Sequence, residues 1–287
     1  MNHRIVKLTP GLYFVSTPIG TARDITLRTL DILASADVLA AEDTRSLRKL
    51  MEIHGVPMEG RSVLAYHDHS GAKTREKLLA ALAGGKSVAY ASEAGTPLIA
   101  DPGYDLSRAA AEAGHMVTSA PGPSAILAAL TLAGLPTDTF LFCGFLPNAT
   151  KARRARLEEL RDTPGTLVTY ESPKRLADAL KDMAEVLGCD RQAAVCRELT
   201  KKFEEIRRGT LGDLAEELSQ SPVKGEVVIV IDRPAPKTAS EDDIRTAVVN
   251  GLLSHSVKDT AELVANAYGI PKRRAYQMAL ELGKDQE

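Results

Sequence analysis

The chain has 287 residues, 44% of them hydrophobic and 26% charged, and 36 basic against 38 acidic residues leave a net charge of −2. That length suits two domains of roughly 100–150 residues with ample buried core, and the near-neutral charge excludes a nucleic-acid binder that works by overall basicity, so such contacts must come from local clusters. Cys143, Cys189 and Cys196 lack metal spacing and read as buried or free thiols in a reducing compartment; the longest apolar run, residues 125–135, falls short of the ~20 residues of a membrane span, so a cytoplasmic chain is expected.

LYFVS, residues 12–16, mixes aromatic and β-branched residues and ends in TPIG, which predicts a first strand with Pro18 and Gly20 in its loop. A dinucleotide fold would carry a G-x-G-x-x-G turn there, and this chain has only P-x-G. Residues 24–35 predict a helix, with Asp24 as N-cap and Leu27, Leu30 and Leu33 near one face. The strand DVLAA, residues 37–41, delivers Glu42, Asp43, Thr44 and Arg45 to its carboxyl end. Those groups suit acid–base or ligand-positioning work, or else Asp43 or Thr44 caps the helix that follows. Residues 63–70 predict a strand ending in His67, Asp68 and His69. Two histidines at i and i+2 face the same way, but no third ligand has metal spacing, so lining a pocket or capping a helix is the simpler role and no metal is expected.

SVAYA, residues 87–91, predicts a strand, and YDLSRAAAEAG, residues 104–114, a helix; between them runs SEAGTPLIADPG. This connection exceeds the usual βα loop of about 2–6 residues and lies where open α/β sheets bind ligands, outside a strand's carboxyl end. After a strand at 116–120, Pro-Gly-Pro marks a domain boundary. An apolar helix closed by Gly134 and Pro136 leads into FLFCGFLP, the basic segment KARRARLEEL, strand TLVTY, helix SPKRLADALKDMAEVLG, strand QAAVCREL and a last strand GEVVIVID. The repeated βα units predict an α/β protein with mainly parallel sheets, divided into domains 1–120 and 121–234 across a cleft.

RPAPK, residues 233–237, reads as a linker, and residues 235–287 as linker plus helical tail. Ser240 with Asp243 and Ser256 with Asp259 have capping-box spacing, and Gly269 before Pro271 stops one helix and starts the next. Ala261, Val264 and Tyr268 are expected to pack against Ala275, Met278 and Leu282 in a helix-turn-helix-like module. Lys272, Arg273 and Arg274 then sit in the second helix's first turn, as a nucleic-acid contact or a solvated basic patch.

TPIGTARDIT, AAEDTR, SEAGTPLIADPGY, APGPSA, LAGLP, GFLP, YESPKR, RELTK and KGE, in this order from about residue 10 to residue 232, resemble the tetrapyrrole methylase superfamily. They are most similar to its branch that methylates the ribose 2′-oxygen of a decoding-region cytidine in 16S rRNA. The resemblance implies two α/β domains, a folded S-adenosylmethionine between them and a homodimer acting on 16S rRNA or the small ribosomal subunit. It implies that Pro18 and Gly20 form the first cofactor loop, with Gly95, Thr96, Pro97, Leu98 and Ile99 around the methionine and sulfonium. Leu132, Ala133, Gly134, Leu135 and Pro136, with Lys224, Gly225 and Glu226, are implied near the adenosine. Where the family usually has SDAGTP, this chain has Glu93, one methylene longer. S-adenosylmethionine carries no phosphate, which accounts for the missing Gly-rich cradle. Asp43, Glu198 and a Lys201 of lowered pKa are the candidate bases. Arg153, Arg154 and Arg156, together with the tail cations, are expected on RNA phosphates. A corrin or uroporphyrinogen methylase and a non-enzymatic nucleic-acid-binding protein are the alternatives.

Overall fold

Near-continuous apolar runs build the first sheet, because each central strand is covered on both faces. The computed structural model describes residues 2–67, 72–235 and 241–284, and the chain divides into two units, 1–233 and 234–287. In the first unit, β1 (Gly11–Val15), β2 (Val38–Ala41), β3 (Val63–Ala65), β4 (Ser87–Ala91) and β5 (Val117–Ala120) form a wholly parallel sheet in the order β3-β2-β4-β1-β5. Tyr13, Val15, Leu39, Ala89 and Ala91 point to one face, covered by Leu30 and Leu33 of α1 (Leu27–Ser35) and Leu47 and Met51 of α2 (Thr44–Ile53). Leu12, Phe14, Val88 and Tyr90 point to the other, under α3 (Ala72–Ala83) and α4 (Tyr104–Glu112). Fully burying side chains such as Leu12, Val15 and Leu39 contributes about 1.5–3 kcal/mol each. The α1 cap is Thr26 rather than Asp24: its hydroxyl accepts from the Thr29 N–H at 3.1 Å.

The second sheet corrects the expectation of mainly parallel pairing in both domains. It comprises β6 (Phe140–Phe145), β7 (Thr166–Glu171), β8 (Gln192–Arg197), β9 (Glu205–Thr210) and β10 (Val227–Ile231), in the order β6-β7-β10-β8-β9. Only β6 and β7 pair in parallel; β10 runs antiparallel to both β7 and β8, and β9 antiparallel to β8. The reason is local. The connection from β8 to β9 contains no helix, so the chain turns straight back on itself, as two-strand antiparallel units do. Sequence reading passed over β9 because EIRRGT is polar, as suits an edge strand. The basic segment forms α6 (Thr150–Leu160), which with α7 (Leu176–Leu187) and α8 (Leu211–Gln220) covers one face; α5 (Ala125–Ala133) covers the other. Ile19, from the loop after β1, and Leu199 join that second core.

The second unit holds α9 (Glu241–Leu252), α10 (Val257–Tyr268) and α11 (Lys272–Lys284), packed around Ile244, Val248, Ala261, Val264, Ala275 and Met278. Ser256 caps α10, its hydroxyl accepting from the Asp259 N–H at 3.2 Å and donating to the Asp259 carboxylate at 2.7 Å, which supplies the N-cap half of a capping box. Tyr268, expected in this core, is exposed. Ser240, Asp68 and His69 lie outside the described residues. No helix among the described residues is long and apolar enough to cross a membrane.

Candidate functional site

Two strained loops frame the site. In the long loop after β4, Gly95 and Thr17 exchange backbone hydrogen bonds of 2.9 and 3.0 Å, Ser92 Oγ donates to the Gly95 carbonyl at 2.8 Å, and Tyr90 donates to the Pro102 carbonyl at 3.2 Å. Leu98 and Ala100 have φ of 71° and 60°. Left-handed conformations cost such residues of order 1–3 kcal/mol each and persist where surroundings enforce them. The second loop, between β8 and β9, repeats the feature at Glu198 (φ 50°) and Thr200 (φ 62°). One Glu198 oxygen accepts from the Glu226 N–H and from Lys201 Nζ, both at 3.0 Å, and Lys201 also reaches Glu226 Oε2 at 3.0 Å.

Glycine permits this closeness at two positions. A Cβ on Gly225, whose φ is +95°, would run into the Glu198 carboxyl group. A Cβ on Gly20 would lie 2.5 Å from Thr200 Oγ1 and 2.6 Å from Lys201 Cγ. Gly20 thus seats the β1 loop directly on the β8–β9 loop, where the Thr21 N–H donates to Thr200 Oγ1 at 3.2 Å.

Three adjoining cavities open between these loops. The most enclosed, about 470 Å³, has Gly95, Thr96 and Ile99 on one side and Phe145, Tyr170 and Val228 on the other. The next, about 410 Å³, is a charged junction lined by Glu42, Asp101, Lys201 and Glu226. The third is an open groove of about 590 Å³ along α2, bordered by Pro18, Gly20, Arg45, Lys49 and Ile53. Glu93 lines all three.

The electrostatics separate Glu93 from the other acids. Partial burial, then the charges of Glu42, Asp43 and Glu226, push its carboxyl above the ordinary value, and its side chain enters no hydrogen bond or ion pair among the described residues. Asp43 is held below its usual range by the Arg45 guanidinium and the N–H groups of Arg45 and Ser46, which it caps at 2.7 and 3.3 Å. Glu198 is lowered by the Glu226 N–H and by Lys201. Lys201 reverses the expectation of a lowered pKa: burial alone would lower it, but hydrogen bonds to Glu226 and Glu198 outweigh burial and raise it. Tyr170 is pushed up to about 12, by burial and then by Asp101 and Glu226, so its hydroxyl stays neutral.

Of the residues expected at the cofactor, Gly95, Thr96, Ile99, Gly225 and Glu226 line the enclosed cavity, and Pro18 and Gly20 border the junction and groove. Pro97, Leu98 and Lys224 border none of the three. Neither do Leu132, Ala133, Gly134, Leu135 and Pro136. The Leu132 and Ala133 carbonyls accept from Arg208 at 2.5 and 3.1 Å, Gly134 ends α5, and the Pro136 carbonyl accepts from Thr166 at 2.6 Å; this turn fastens α5 to the second sheet. The three α6 arginines, expected on RNA phosphates, each have an acid partner within the fold. Arg153 is buried, with Nε 2.7 Å from Asp182; Arg154 bonds Asp182 and Glu185; Arg156 pairs with Glu159. Ser124, Ala125, Phe145 and the stretch Tyr170–Glu171–Ser172–Pro173 line the enclosed cavity without having been singled out. Each follows or ends a strand, so the carboxyl-end rule applied to β4 would have found them at β5, β6 and β7.

The profile of the tetrapyrrole (corrin/porphyrin) methylases matches residues 11–215, most of the chain. The chain belongs to that family. Residues 238–283 match the RsmI C-terminal HTH domain, in keeping with the helical second unit. The chain is 46% identical over 276 residues to a protein of Mesorhizobium japonicum named ribosomal RNA small subunit methyltransferase I, covering 96% of this chain and 93% of that one. It is 41% identical to the protein of the same name from Escherichia coli O157:H7, covering 94% of each. Among solved structures the methyltransferase CobJ aligns with a TM-score of 0.60 at 19% identity, over 78% of this chain and 95% of that one. Uroporphyrin-III C-methyltransferase from Thermus thermophilus, complexed with S-adenosyl homocysteine, aligns at 0.54 and 18%, over 77% and 97%. At these identities the structural likeness establishes the family fold.

Proposed function

We propose that this chain is an S-adenosylmethionine-dependent methyltransferase of small-subunit rRNA, acting on the ribose 2′-oxygen of a decoding-region cytidine. The observation that carries the reading is the path from an enclosed cavity, through a carboxylate-lined junction, to an open groove, in a chain related along nearly its whole length to proteins named ribosomal RNA small subunit methyltransferase I. On this reading residues 1–120 and 121–234 are the two halves that form the site, and residues 235–287 a separate helical module. The protein works in the cytoplasm on 16S rRNA, as naked RNA or within the small subunit.

The enclosed cavity fits the cofactor by its chemistry. It offers main chain at Gly95 and Thr96, aromatic surface at Phe145 and Tyr170, and carboxylates at Glu93, Asp101 and Glu226 that suit a cation. When bound there, S-adenosylmethionine supplies an electrophilic methyl group on a positively charged sulfur. The protein's own work is chiefly positioning, for which effective molarities are large. Glu93 at the junction accepts the hydroxyl proton, because a carboxylate of raised pKa is the stronger base. Asp43, Glu198 and Lys201 hold the loops around it, each through the hydrogen bonds described above. Copies pair through the β6 edge of the second sheet, where Phe140, Leu141 and Phe145 are 42%, 39% and 57% exposed, an apolar edge strand of the kind that monomers cover or charge. Calorimetric titration with S-adenosylhomocysteine tests the reading: one site per chain is expected, and well-folded protein that takes up none would overturn it.

A further inference from the structure

The α/β unit needs a surface for an RNA strand, and the cations of α6 are each engaged by an acid. Arg153 and Arg154 converge on the buried Asp182, and Arg154 and Arg156 have further, surface partners in Glu185 and Glu159. The cations of α2 stand differently. The Arg45 and Lys49 side chains are 89% and 67% exposed and border the open groove, and their acid partners, Asp43 and Glu52, lie on or at the cap of α2 itself rather than on another element. Arg48, three residues beyond Arg45 and just outside the groove lining, is exposed and joins no ion pair among the described residues. Asp43 occupies the amino-terminal cap of α2, so binding of an anion here falls to these side chains rather than to free N–H groups.

Resting on the reading above, we propose that the groove along α2 seats a single-stranded RNA segment, with Arg45, Arg48 and Lys49 holding the phosphates that flank the acceptor nucleotide. Three features fit this occupant. The groove shares Pro18, Gly20, Ser46 and Glu93 with the junction, so a ribose entering from it arrives at the Glu93 carboxylate facing the enclosed cavity. Its wall carries apolar surface at Leu50 and Ile53, the latter 54% exposed, against which a base or sugar face can lie. The acceptor's 2′-oxygen must also come up to the Glu93 carboxylate at the cavity mouth, which a nucleotide stacked within a duplex does not do unless it is extruded. The step then balances: the ribose oxygen forms its bond to the methyl carbon, the carbon–sulfur bond breaks with its electron pair staying on sulfur to leave a neutral thioether, and the hydroxyl proton passes to Glu93.

The test measures binding of a short fluorescent single-stranded RNA to the full chain across a range of KCl concentrations. The triple variant Arg45→Ala, Arg48→Ala, Lys49→Ala should lower the salt slope by about 2, at roughly 0.7 per lost phosphate contact on a single strand, with S-adenosylhomocysteine affinity unchanged. Arg45 also supports the α2 cap, so Arg48→Ala alone is the variant that leaves the fold untouched, and its slope should fall by about 0.7. An unchanged slope in Arg48→Ala overturns the proposal. So does an equal fall in Arg154→Ala, Arg156→Ala, or loss of binding to assembled small subunits with naked RNA binding intact, which would make the groove a protein contact. If the unaltered chain takes up no S-adenosylhomocysteine, the enzymatic reading fails by itself, and the salt slopes still decide where RNA lies.

Discussion

Helices α2 and α6 each carry a run of cations that reads alike in sequence, and the fold uses them in opposite ways. In α6 Arg153 and Arg154 share the buried carboxylate of Asp182, and Arg156 pairs with Glu159 at the surface. In α2 the cations stay on the solvent side of a groove that leads to an unpaired acid. The difference arises from neighbours far along the chain: α7 presents Asp182 and Glu185 to α6, whereas α2 borders a groove with the loops after β1 and β4. A charge run therefore announces a binding surface only when no acid elsewhere in the fold claims it.

The sharpest way to break this contrast is at its ends. Glu93→Gln should lower kcat by roughly 10²–10⁴-fold at saturating cofactor while leaving the RNA salt slope in place, as loss of a general base does. Full activity in that variant would return the proton to another group. Next in size, Arg153→Ala should destabilise the α/β unit by about 3–5 kcal/mol in urea denaturation, because it leaves Asp182 short of a buried partner. A stable Arg153→Ala protein with a reduced salt slope would show that α6, after all, meets RNA.

Smaller effects are expected from the helical tail. Lys272 pairs with Glu262 at 2.5 Å and Arg274 with Glu241 at 3.7 Å, whereas Arg273 has neither partner. Replacing Lys272, Arg273 and Arg274 with alanine should thus lower the salt slope by about 0.7 rather than 2. A fall as large as that of the α2 triple variant would move the main RNA contact to the tail. The smallest effect is on stability against pH. The folded Glu93 pKa lies above the ordinary value of 4.5, so its ionisation costs stability, and that cost grows as pH rises through the folded pKa. Glu93→Gln should therefore be slightly more stable than the unaltered chain at pH 7, with the gain vanishing below pH 4.5, as read by urea midpoints.

Most of the scaffold was legible because its signals are local. Apolar strand runs, the Ser256 cap and the Gly269 stop each depend on residues a few positions apart, and they appear where the sequence places them. The long loop after β4 was legible by its length and its prolines. Strand order in the second sheet was not, because antiparallel insertion of β10 between β7 and β8 depends on pairings more than 25 residues away. Lys201 misled for a similar reason: the basic residue is visible in RELTK, but Glu226, which raises its pKa, arrives from the KGE loop. The hold on the Leu132 and Ala133 carbonyls was likewise hidden, because it comes from Arg208 on β9, a polar edge strand far along the chain.

The most direct test of the central claim is methyl transfer itself. The full chain would be incubated with methyl-labelled S-adenosylmethionine and small ribosomal subunits from cells lacking the enzyme, with uroporphyrinogen in a parallel reaction, and the labelled position would be mapped. Label on the 2′-oxygen of a single decoding-region cytidine, abolished by Glu93→Gln, is the predicted result. Label on the tetrapyrrole and none on RNA, from protein that binds S-adenosylhomocysteine normally, would contradict it.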